Sequence, residues 1–286
     1  MNIYTKDNYV IIEGVSDFDV THTFDCGQCF RWEREEDGSY TGVAFGRVVN
    51  VSSSDNRITI ANSSVEDVEN IWLDYLDLKR DYSSVKKGFS GDENMSRAMD
   101  FGYGIRILKQ EMFECLVSFI ISTQNGIPRI KKIVSKLCEM YGTKVEYNGK
   151  TYYTFPEPQQ LRGITEADLA PLKAGYRAKY IVDCVNKVLS GEIKLDEVIL
   201  KDTDSARKEL LRICGVGPKV ADCVMLFSMR KYDAFPIDVW VKRIMSSLYL
   251  DDNATVNDIQ RFAADKFGEY AGIAQQYLFY FARENG

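Results

Sequence analysis

Lys219 is the residue of this chain best placed for covalent chemistry, because it follows the turn segment Gly215-Val-Gly-Pro218. The two glycines predict a tight turn with positive φ after one helix, and Pro218 suits the first position of the next helix. Lys219 then lies in the first turn of that second helix, where the positive end of the helix dipole disfavours an ammonium. A neutral amine at this position is a candidate nucleophile for Schiff-base chemistry.

The same turn is also a candidate anion site. A Gly-Val-Gly turn beside a helix N-terminus exposes backbone N–H groups, and we predict that Gly215, Val216, Gly217 and Lys219 bind a DNA phosphate through them. An ordinary turn between two helices remains the alternative at this point. Cys223 lies four residues after Lys219 on the same helix face, where it either contacts the amine or is simply a small buried hydrophobic residue.

A second candidate for chemistry is Asp238, which lies nineteen residues after Lys219 in the segment Phe235-Pro-Ile-Asp-Val239. Asp238 precedes a helical pattern, so its default role is an N-cap worth about 1 kcal/mol. A Pro-x-Asp sequence at the start of a helix is common and does not identify a site by itself. The informative feature is the combination of this aspartate with the hairpin lysine.

Composition limits what kind of protein can position these residues. The 286 residues are 45% hydrophobic and 27% charged, which excludes disorder as the main state and suits one large domain or two to three small ones. No run approaches the roughly 20 apolar residues of a membrane span, and the N-terminal segment lacks a signal-peptide pattern. We therefore expect an intracellular protein without membrane contact.

The distribution of charge and cysteine narrows the function classes further. Although the net charge is −6, residues 101–250 carry 23 basic and 17 acidic side chains, so this part of the chain could present a cationic face to nucleic acid; scattered solvated charges are the alternative. Seven cysteines, an odd number, favour reduced thiols. Cys26-x-x-Cys29 and the single histidine, His22, do not complete a tetrahedral zinc site, and we expect no metal and no other cofactor.

Hydrophobic periodicity divides the chain into a strand-rich start and a helical remainder. Alternating runs broken by turn residues predict an antiparallel sheet with strands at 9–13, 29–33, 40–44, 48–51 and 57–60. A helix is predicted to begin after Ser64, and apolar spacings of three and four predict helices at 111–122, 127–141, 166–172, 178–190, 205–214, 219–229, 239–248, 256–267 and 271–283. Segment 143–158 is predicted to be an excursion between helices. The predicted fold class is α+β, with a sheet domain and linking helix at 1–100 and a helical body at 101–286.

Taken together, Gly215-Val-Gly-Pro-Lys219 and Phe235-Pro-Ile-Asp-Val239 resemble the helix-hairpin-helix signature of base-excision DNA glycosylases. Within that superfamily, the chain is similar to the 8-oxoguanine DNA glycosylase/AP lyase branch. The resemblance implies a TBP-like N-terminal sheet, a hairpin motif at 205–229, and C-terminal helices that complete a base pocket. It also implies that Lys219 attacks C1′ of the damaged nucleotide, while Asp238 helps to activate the lysine and stabilises positive charge developing on the sugar.

The resemblance extends to the segments that hold the damaged base. Gly27-Gln-Cys-Phe-Arg-Trp32 resembles the family segment whose glycine carbonyl accepts a hydrogen bond from the N7–H of 8-oxoguanine, a proton that guanine lacks. Segment 270–279 resembles the family helix whose first glutamine contacts the Watson–Crick edge and whose phenylalanine stacks on the ring. These matches imply base-binding roles for Gly27, Gln275 and Phe279, and we place Cys223 with them.

Two further segments resemble those that face the orphaned cytosine. In segment 121–130, the resemblance places Gln124 at the gap-filling position and Arg129 at the cytosine-reading position, although the family usually has an Asn-Asn-Asn run where this chain has Gln-Asn-Gly. Segment 174–180 implies that Tyr176 wedges beside the estranged base and that Arg177 bonds cytosine. Trp240 is another departure, because related enzymes often have a phosphate-contacting histidine there.

We therefore expect a monomeric, bifunctional DNA repair glycosylase that acts on double-stranded DNA containing 8-oxoguanine, preferably opposite cytosine. It would excise the base through a lysine Schiff base and cleave the abasic site by β-elimination. Two alternatives stay open. One is a monofunctional alkylbase glycosylase, similar to the 3-methyladenine enzymes that lack the hairpin lysine. The other is a non-catalytic helix-hairpin-helix DNA-binding protein.

Overall fold

The N-terminal part of the chain folds into a six-stranded antiparallel sheet in a computed structural model that describes residues 1–285. The spatial order of the strands is β1-β2-β6-β5-β4-β3. The strands are β1 Asn2–Lys6, β2 Tyr9–Glu13, β3 Trp32–Arg34, β4 Tyr40–Ala44, β5 Arg47–Ser54 and β6 Arg57–Ala61. Every pairing is antiparallel, as the short alternating runs and tight turns predict.

One face of this sheet is buried because its strands alternate apolar and polar residues. Val49, Val51, Ile58 and Ile60 are almost completely buried and form the centre of the sheet core. Trp32 lies on the same core, and its ring stacks on Phe24 with 4.1 Å between centroids. Phe24 and Trp32 therefore anchor the two ends of the segment at 25–31 in the sheet core.

The rest of the chain is mainly helical. The helices are α1 Val20–Asp25, α2 Val65–Asp67, α3 Leu73–Tyr75, α4 Tyr82–Lys87, α5 Glu93–Phe101, α6 Met112–Ser122, α7 Ile127–Tyr141, α8 Arg177–Leu189, α9 Leu195–Val198, α10 Thr203–Leu210, α11 Pro218–Met229, α12 Val239–Leu248, α13 Val256–Phe267 and α14 Ala271–Asn285. A π-helical turn at Val68–Trp72 joins α2 to α3, 3₁₀ turns lie at Pro158–Leu161, Ala170–Leu172 and Gly268–Tyr270, and Lys144–Tyr147 pairs with Lys150–Tyr153 as β7 and β8. Among the helices of residues 1–285, none combines the length and apolar character that a bilayer crossing requires.

The predicted α+β fold class is confirmed, whereas some predicted elements are wrong. No α-helix covers 166–172; the segment forms turns and the 3₁₀ turn Ala170–Leu172, because Pro171 removes a backbone donor and Lys173 adopts φ +53°. The helix predicted at 205–214 ends at Leu210, and the excursion at 143–158 contains the hairpin of β7 and β8. Strand β1 and helices α1, α4, α5 and α9 were not predicted, because they are short or weakly periodic.

The chain passes from the core of the sheet to the core of the helical body between Leu78 and Tyr82. Tyr82 and Val85 of α4 and Met95 of α5 belong to the core of the helical body, and so does Phe30 from the N-terminal segment. Leu108, by contrast, packs into the sheet core. The two parts of the chain therefore interlock, since each core contains residues from both sides of residue 100, and the domain division at residue 100 stays a prediction.

Candidate active site

The hairpin between α10 and α11 depends on a single left-handed glycine. Gly215 has φ +81°, and a Cβ atom there would lie 2.3 Å from the Tyr180 ring. Gly217, by contrast, has φ −96° and ψ 179° at the N-cap of α11, so the predicted positive φ is correct for Gly215 and wrong for Gly217. The turn needs glycine at 215 both for its backbone conformation and for the close approach of Tyr180.

The amide groups of this hairpin are not equally available to a phosphate. The Val216 N–H donates to the carbonyl of Ile213 at 3.1 Å, and the Val216 side chain is buried. A phosphate contact at that amide would have to displace this bond, so Val216 is a poor member of the predicted phosphate set. Gly217 and Lys219 stand at the start of α11, where N–H groups have no intrahelical acceptor. They are the better candidates for holding an anion.

We expect Gly215→Ala to weaken both folding and DNA binding. A left-handed alanine costs about 1–2 kcal/mol, and its Cβ would in addition overlap the Tyr180 ring. Denaturant unfolding and titration with duplex DNA measure the two effects. Gly163→Ala is the matched control, because Gly163 has φ +76° with open space around its missing side chain. Equal losses of stability in the two variants would show that the contact with Tyr180 is unimportant.

Lys219 points from the start of α11 toward an aromatic wall. Its Nζ lies 5.0 Å from the centroid of the Phe119 ring on α6, within the range of a cation–π contact when the amine is charged. Cys223, one turn further along α11, is buried beside it. Burial raises the pKa of the Cys223 thiol to about 11, and the neighbouring lysine opposes that rise. Cys223 is therefore an uncharged thiol at neutral pH and does not compete with Lys219 as a nucleophile.

Asp238 begins α12 and faces the same cavity as Lys219. Its Oδ1 accepts a hydrogen bond from the Val241 N–H at 2.8 Å, which is the geometry of an N-cap. Pro236 and Phe227 complete this side of the cavity. The capping bond holds the carboxylate at a defined position next to the amine-bearing helix.

Residues from distant parts of the chain meet around this cavity. The predicted residues that line it are Gly27, Lys219, Cys223, Asp238, Gln275 and Phe279. Its volume is about 30 Å³, which is roughly the share of one water molecule in the liquid. Phe279 limits the space, because a Cβ atom at Gly27 would lie 3.1 Å from its ring. A purine can enter only when Phe279 moves.

Gln275 offers this cavity an acceptor that the protein itself leaves unused. Gln275 is buried on α14, and within residues 1–285 its Oε1 has no hydrogen-bond partner. Buried polar atoms are almost always paired, and an orphaned one calls for a ligand or another explanation. A donor on an incoming base would satisfy this oxygen.

Three buried glutamines hold the Gly27 loop, and sequence reasoning missed their role. Gln276 donates from Nε2 to the Cys26 carbonyl at 2.6 Å. Gln28 donates from Nε2 to the carbonyl of Thr23 at 2.8 Å, and Gln110 donates to the Gln28 carbonyl at 2.7 Å. The signal that was available is adjacency, because Gln28 and Gln276 each directly follow a predicted base-binding residue.

Gln124 and Tyr176, predicted to fill the gap left by an extruded base, lie together at the rim. The Tyr176 hydroxyl donates to Oε1 of Gln124 at 3.0 Å, and Tyr176 is 44% exposed. Gln124 has φ +53°, a left-handed conformation that is uncommon for a residue other than glycine. The two side chains form one polar and aromatic projection beside the cleft.

Arg177 supports this projection from below. It is 5% exposed, and all of its guanidinium nitrogens donate to backbone carbonyls. Nε donates to the carbonyl of Thr123 at 2.8 Å and Nη1 to the carbonyl of Ala174 at 3.2 Å. Nη2 donates to the carbonyls of Thr123 and Gln124. A contact with cytosine would have to exchange some of these bonds. Arg129 is exposed and donates only a long bond, 3.3 Å, to the Lys173 carbonyl, so its guanidinium is the freer of the two. The cytosine contacts of both arginines stay predictions.

A cleft of about 720 Å³ joins these features. It runs from the hairpin at Gly215 and Gly217 past Lys219 to the loop that carries Gln124, and Trp240 lies on its wall. The ring of Trp240, one of the departures from the family pattern that the sequence resembles, lies 5.2 Å from the Arg243 guanidinium. The cleft therefore brings the hairpin, the small cavity and the rim projection into one surface.

The cysteine pair near Gly27 is part of the packing. Cys26 and Cys29 are buried free thiols whose Sγ atoms donate to the carbonyls of Thr23 and Phe24. Burial raises the pKa of Cys26 to about 11, so the protonated thiol predominates at neutral pH. Within residues 1–285, no group of three or more His, Cys, Asp or Glu side chains is arranged to hold a metal ion.

Comparison with known proteins places this architecture in a family. The model of the 8-oxoguanine DNA glycosylase N-terminal domain matches residues 10–116, and the model of the HhH-GPD superfamily base excision DNA repair protein matches residues 117–268. One similar solved structure is that of the 8-oxoguanine glycosylase/lyase of Clostridium acetobutylicum, in complex with double-stranded DNA containing cytosine opposite 8-oxoguanine. Its sequence is 47% identical to this chain. It covers 100% of this chain and 98% of that chain, with a TM-score of 0.97.

Two relatives known from their sequences agree with this placement. A probable N-glycosylase/DNA lyase of Methanothermobacter thermautotrophicus is 34% identical over 235 residues, which cover 75% of this chain and 75% of that protein. The N-glycosylase/DNA lyase OGG1 of Arabidopsis thaliana is 30% identical over 274 residues, which cover 90% of this chain and 75% of that protein. The chain therefore belongs to the HhH-GPD superfamily of base excision DNA repair proteins, within the group that carries the N-terminal domain of 8-oxoguanine DNA glycosylase.

Proposed function

We propose that this protein removes 8-oxoguanine from double-stranded DNA and then cleaves the strand at the abasic site, with Lys219 as the nucleophile. The observation that carries the proposal is the meeting of Lys219, Asp238, Gln275 and Gly27 around one cavity. These residues come from four separate segments and supply an amine, a carboxylate, an unpaired amide oxygen and a loop carbonyl. Together they match the needs of base recognition followed by attack at C1′.

Recognition of the base uses two acceptors. The orphaned Oε1 of Gln275 suits the N1–H and exocyclic N–H donors on the Watson–Crick edge of a guanine. The carbonyl of Gly27, on a loop held by Gln276 and Gln28, receives the N7–H that distinguishes 8-oxoguanine from guanine. Phe279 and Cys223 cover the two faces of the ring. Guanine has a lone pair at N7, which would face the Gly27 carbonyl without a bond.

Chemistry begins after the nucleotide leaves the helix, which costs a few kcal/mol of stacking and pairing. The neutral Nζ of Lys219 forms a bond to C1′ while the C1′–N9 bond breaks, and the base departs with that electron pair and takes up a proton. Asp238 stabilises the positive charge that develops on the sugar. The amine adduct opens the sugar ring to an imine, and loss of a C2′ proton then expels the 3′ phosphate by β-elimination.

The duplex is held at both sides of the extruded nucleotide. The amides of Gly217 and Lys219 bind a backbone phosphate at the start of α11, and Gly215 gives the hairpin its shape. Gln124 and Tyr176 occupy the vacated space, while Arg129 donates to the acceptor edge of the opposite cytosine, with Arg177 behind it. Because the proposed substrate is cellular DNA, we further propose that the protein acts inside the cell. We also propose that it acts as a monomer.

Borohydride trapping tests this function. Incubation with a duplex containing 8-oxoguanine opposite cytosine and sodium borohydride should yield a covalent protein–DNA band on a denaturing gel. The same duplex with guanine in place of 8-oxoguanine is the control and should yield none, and 8-oxoguanine opposite adenine should yield a weaker band. Release of free base without a band would indicate a monofunctional glycosylase. Neither base release nor a band would leave only a DNA-binding hairpin.

A further inference from the structure

Arg283 lies at the mouth of the base cavity and has no part in the function described so far. It follows Phe279 by one turn on α14, and its guanidinium carbon lies 5.6 Å from the centroids of the Phe279 and Tyr280 rings. Its Nη2 donates to the Asp25 carbonyl at 2.5 Å, and its Nε donates to the Glu284 carboxylate at 2.9 Å. The side chain is 17% exposed, so these contacts fix the guanidinium in one place.

One nitrogen of this guanidinium is left without a partner. Within residues 1–285, Nη1 of Arg283 is buried and makes no hydrogen bond. It faces Gly27, because a Cβ atom on Gly27 would lie 3.2 Å from it. An unpaired charged donor in a buried position is costly, and all five N–H groups of an arginine seek acceptors. The position next to Gly27 therefore lacks an acceptor that a ligand could supply.

The chemistry of the lesion identifies that acceptor. In 8-oxoguanine, C8 lies between N7 and N9, so the O8 carbonyl is adjacent to N7–H and on the side of the ring that carries the sugar. A base whose N7–H donates to the Gly27 carbonyl must place O8 near Gly27 and toward the mouth of the cavity. Arg283 lines the outer cleft at the mouth, together with Gly27. Its free Nη1 is thus on the side where O8 arrives.

We propose that Arg283 is a specificity-determining residue that donates a hydrogen bond from Nη1 to O8 of the extruded 8-oxoguanine. The inference rests on the proposed function, because it requires the base to occupy the Gly27 cavity. Phe279 must leave its resting position for the base to enter, whereas the bond to the Asp25 carbonyl keeps the guanidinium in place during that movement. Gly27 and Arg283 then read the two features that oxidation adds to guanine, the proton on N7 and the oxygen on C8.

The test compares two lesions in two proteins. In 8-thioguanine the N7–H is retained but sulfur, a much weaker acceptor, replaces O8. Single-turnover base release from duplexes with either lesion opposite cytosine is measured for the wild type and for Arg283→Met, which keeps an apolar stem on the aromatic rings. We expect Arg283→Met to slow release of 8-oxoguanine about 10- to 100-fold, the usual effect of one charged hydrogen bond, and to affect 8-thioguanine much less.

Controls separate this inference from the proposed function itself. Arg97→Met is the matched variant. Arg97 belongs to α5, and its guanidinium carbon lies 5.6 Å from the ring of Phe281 on α14, away from the cavity, so this variant should behave as the wild type. Cleavage of a preformed abasic site involves no base and should be unchanged in Arg283→Met. Failure of the wild type to cleave such a site would contradict the proposed function rather than the role of Arg283.

Two results would overturn the assignment. If Arg283→Met slows both lesions by the same factor, Arg283 only positions Phe279. If it weakens binding of undamaged duplex to the same extent, with a smaller salt dependence, the guanidinium binds a phosphate. Should Arg283→Met fail to fold, Arg283→Lys retains one charged donor and is expected to preserve an intermediate preference for 8-oxoguanine over 8-thioguanine; an unchanged or lost preference there would contradict the proposal.

Discussion

Replacing Lys219 with glutamine is expected to abolish covalent trapping and to reduce release of 8-oxoguanine by about 10³-fold or more. Glutamine has nearly the same length but no amine, so no bond to C1′ can form and no imine can follow. The site keeps its other elements, since Asp238 and the Gly27 loop are held by hydrogen bonds that do not involve the lysine. Single-turnover base release, strand cleavage and borohydride trapping measure the three activities.

Binding should survive this change, and that result distinguishes a catalytic lysine from a structural one. We expect Lys219→Gln to bind lesion-containing duplex within a few-fold of the wild type, because the amides at the start of α11 remain. Lys136→Gln is the matched control; Lys136 lies on α7, half-exposed, and pairs with Glu139 at 3.0 Å. Near-normal base release by Lys219→Gln would refute Lys219 as the nucleophile, whatever the trapping experiment shows.

The small volume of the cavity implies that entry of a base is coupled to movement of Phe279. A space of about 30 Å³ cannot hold a purine, and the ring of Phe279 rests against Gly27. Extrusion of any base therefore has to overcome the loss of this packing as well as the unstacking of DNA. On the proposed function, a base that donates to the acceptors of Gln275 and Gly27 offsets that cost, and guanine, which has no proton at N7, offsets less of it. The cost of moving Phe279 is common to all bases, so on the proposed function the preference for 8-oxoguanine comes from the Gly27 acceptor rather than from Phe279.

The positions of the main elements and of the hairpin could be predicted because their signals are local. Periodicity predicts α7, α12 and α13 to the residue, since each has a continuous apolar stripe and a defined start. The glycine, proline and lysine of the hairpin stand together, so their order already indicates a turn and a helix start. Periodicity predicts a helix at 166–172 that is absent from the structure, because Pro171 interrupts an otherwise helical pattern of apolar residues.

What could not be predicted depends on contacts between distant parts of the chain. The bond from Gln276 to the Cys26 carbonyl joins residues 250 positions apart, and no local pattern indicates it. The Val216 N–H donates to the Ile213 carbonyl within the same turn, and this bond forms because the hairpin closes tightly. In the sequence, Arg283 is simply a basic residue near the end of a helix. Only the packing of the folded chain shows that its Nη1 lies beside Gly27 without a hydrogen-bond partner.

Asp238→Asn is expected to slow base release about 10²- to 10³-fold with little loss of stability. Removing one electrostatic contact to a developing charge has an effect of this size, and asparagine carries no negative charge with which to stabilise the cationic sugar. Its side-chain oxygen can still accept the bond from the Val241 N–H that Asp238 makes at 2.8 Å, and asparagine caps helices as well as aspartate does. The free energy of unfolding, measured with denaturant, should therefore fall by less than about 1 kcal/mol, which is the size of the lost interaction between the charge and the helix dipole.

A second capping aspartate separates the two roles of this carboxylate. Asp202 caps α10 by accepting from the Ser205 N–H at 2.9 Å, on an exposed surface, so Asp202→Asn makes the same chemical change away from Lys219. We expect it to match Asp238→Asn in stability while leaving base release at the wild-type rate. If Asp238→Asn instead retains full activity, its carboxylate serves only as a cap, and charge on the sugar must be stabilised by the departing base or by the DNA itself. If activity and stability fall together, the loss of rate reflects a displaced α12 rather than a missing charge, because the cap and the catalytic carboxylate are the same group.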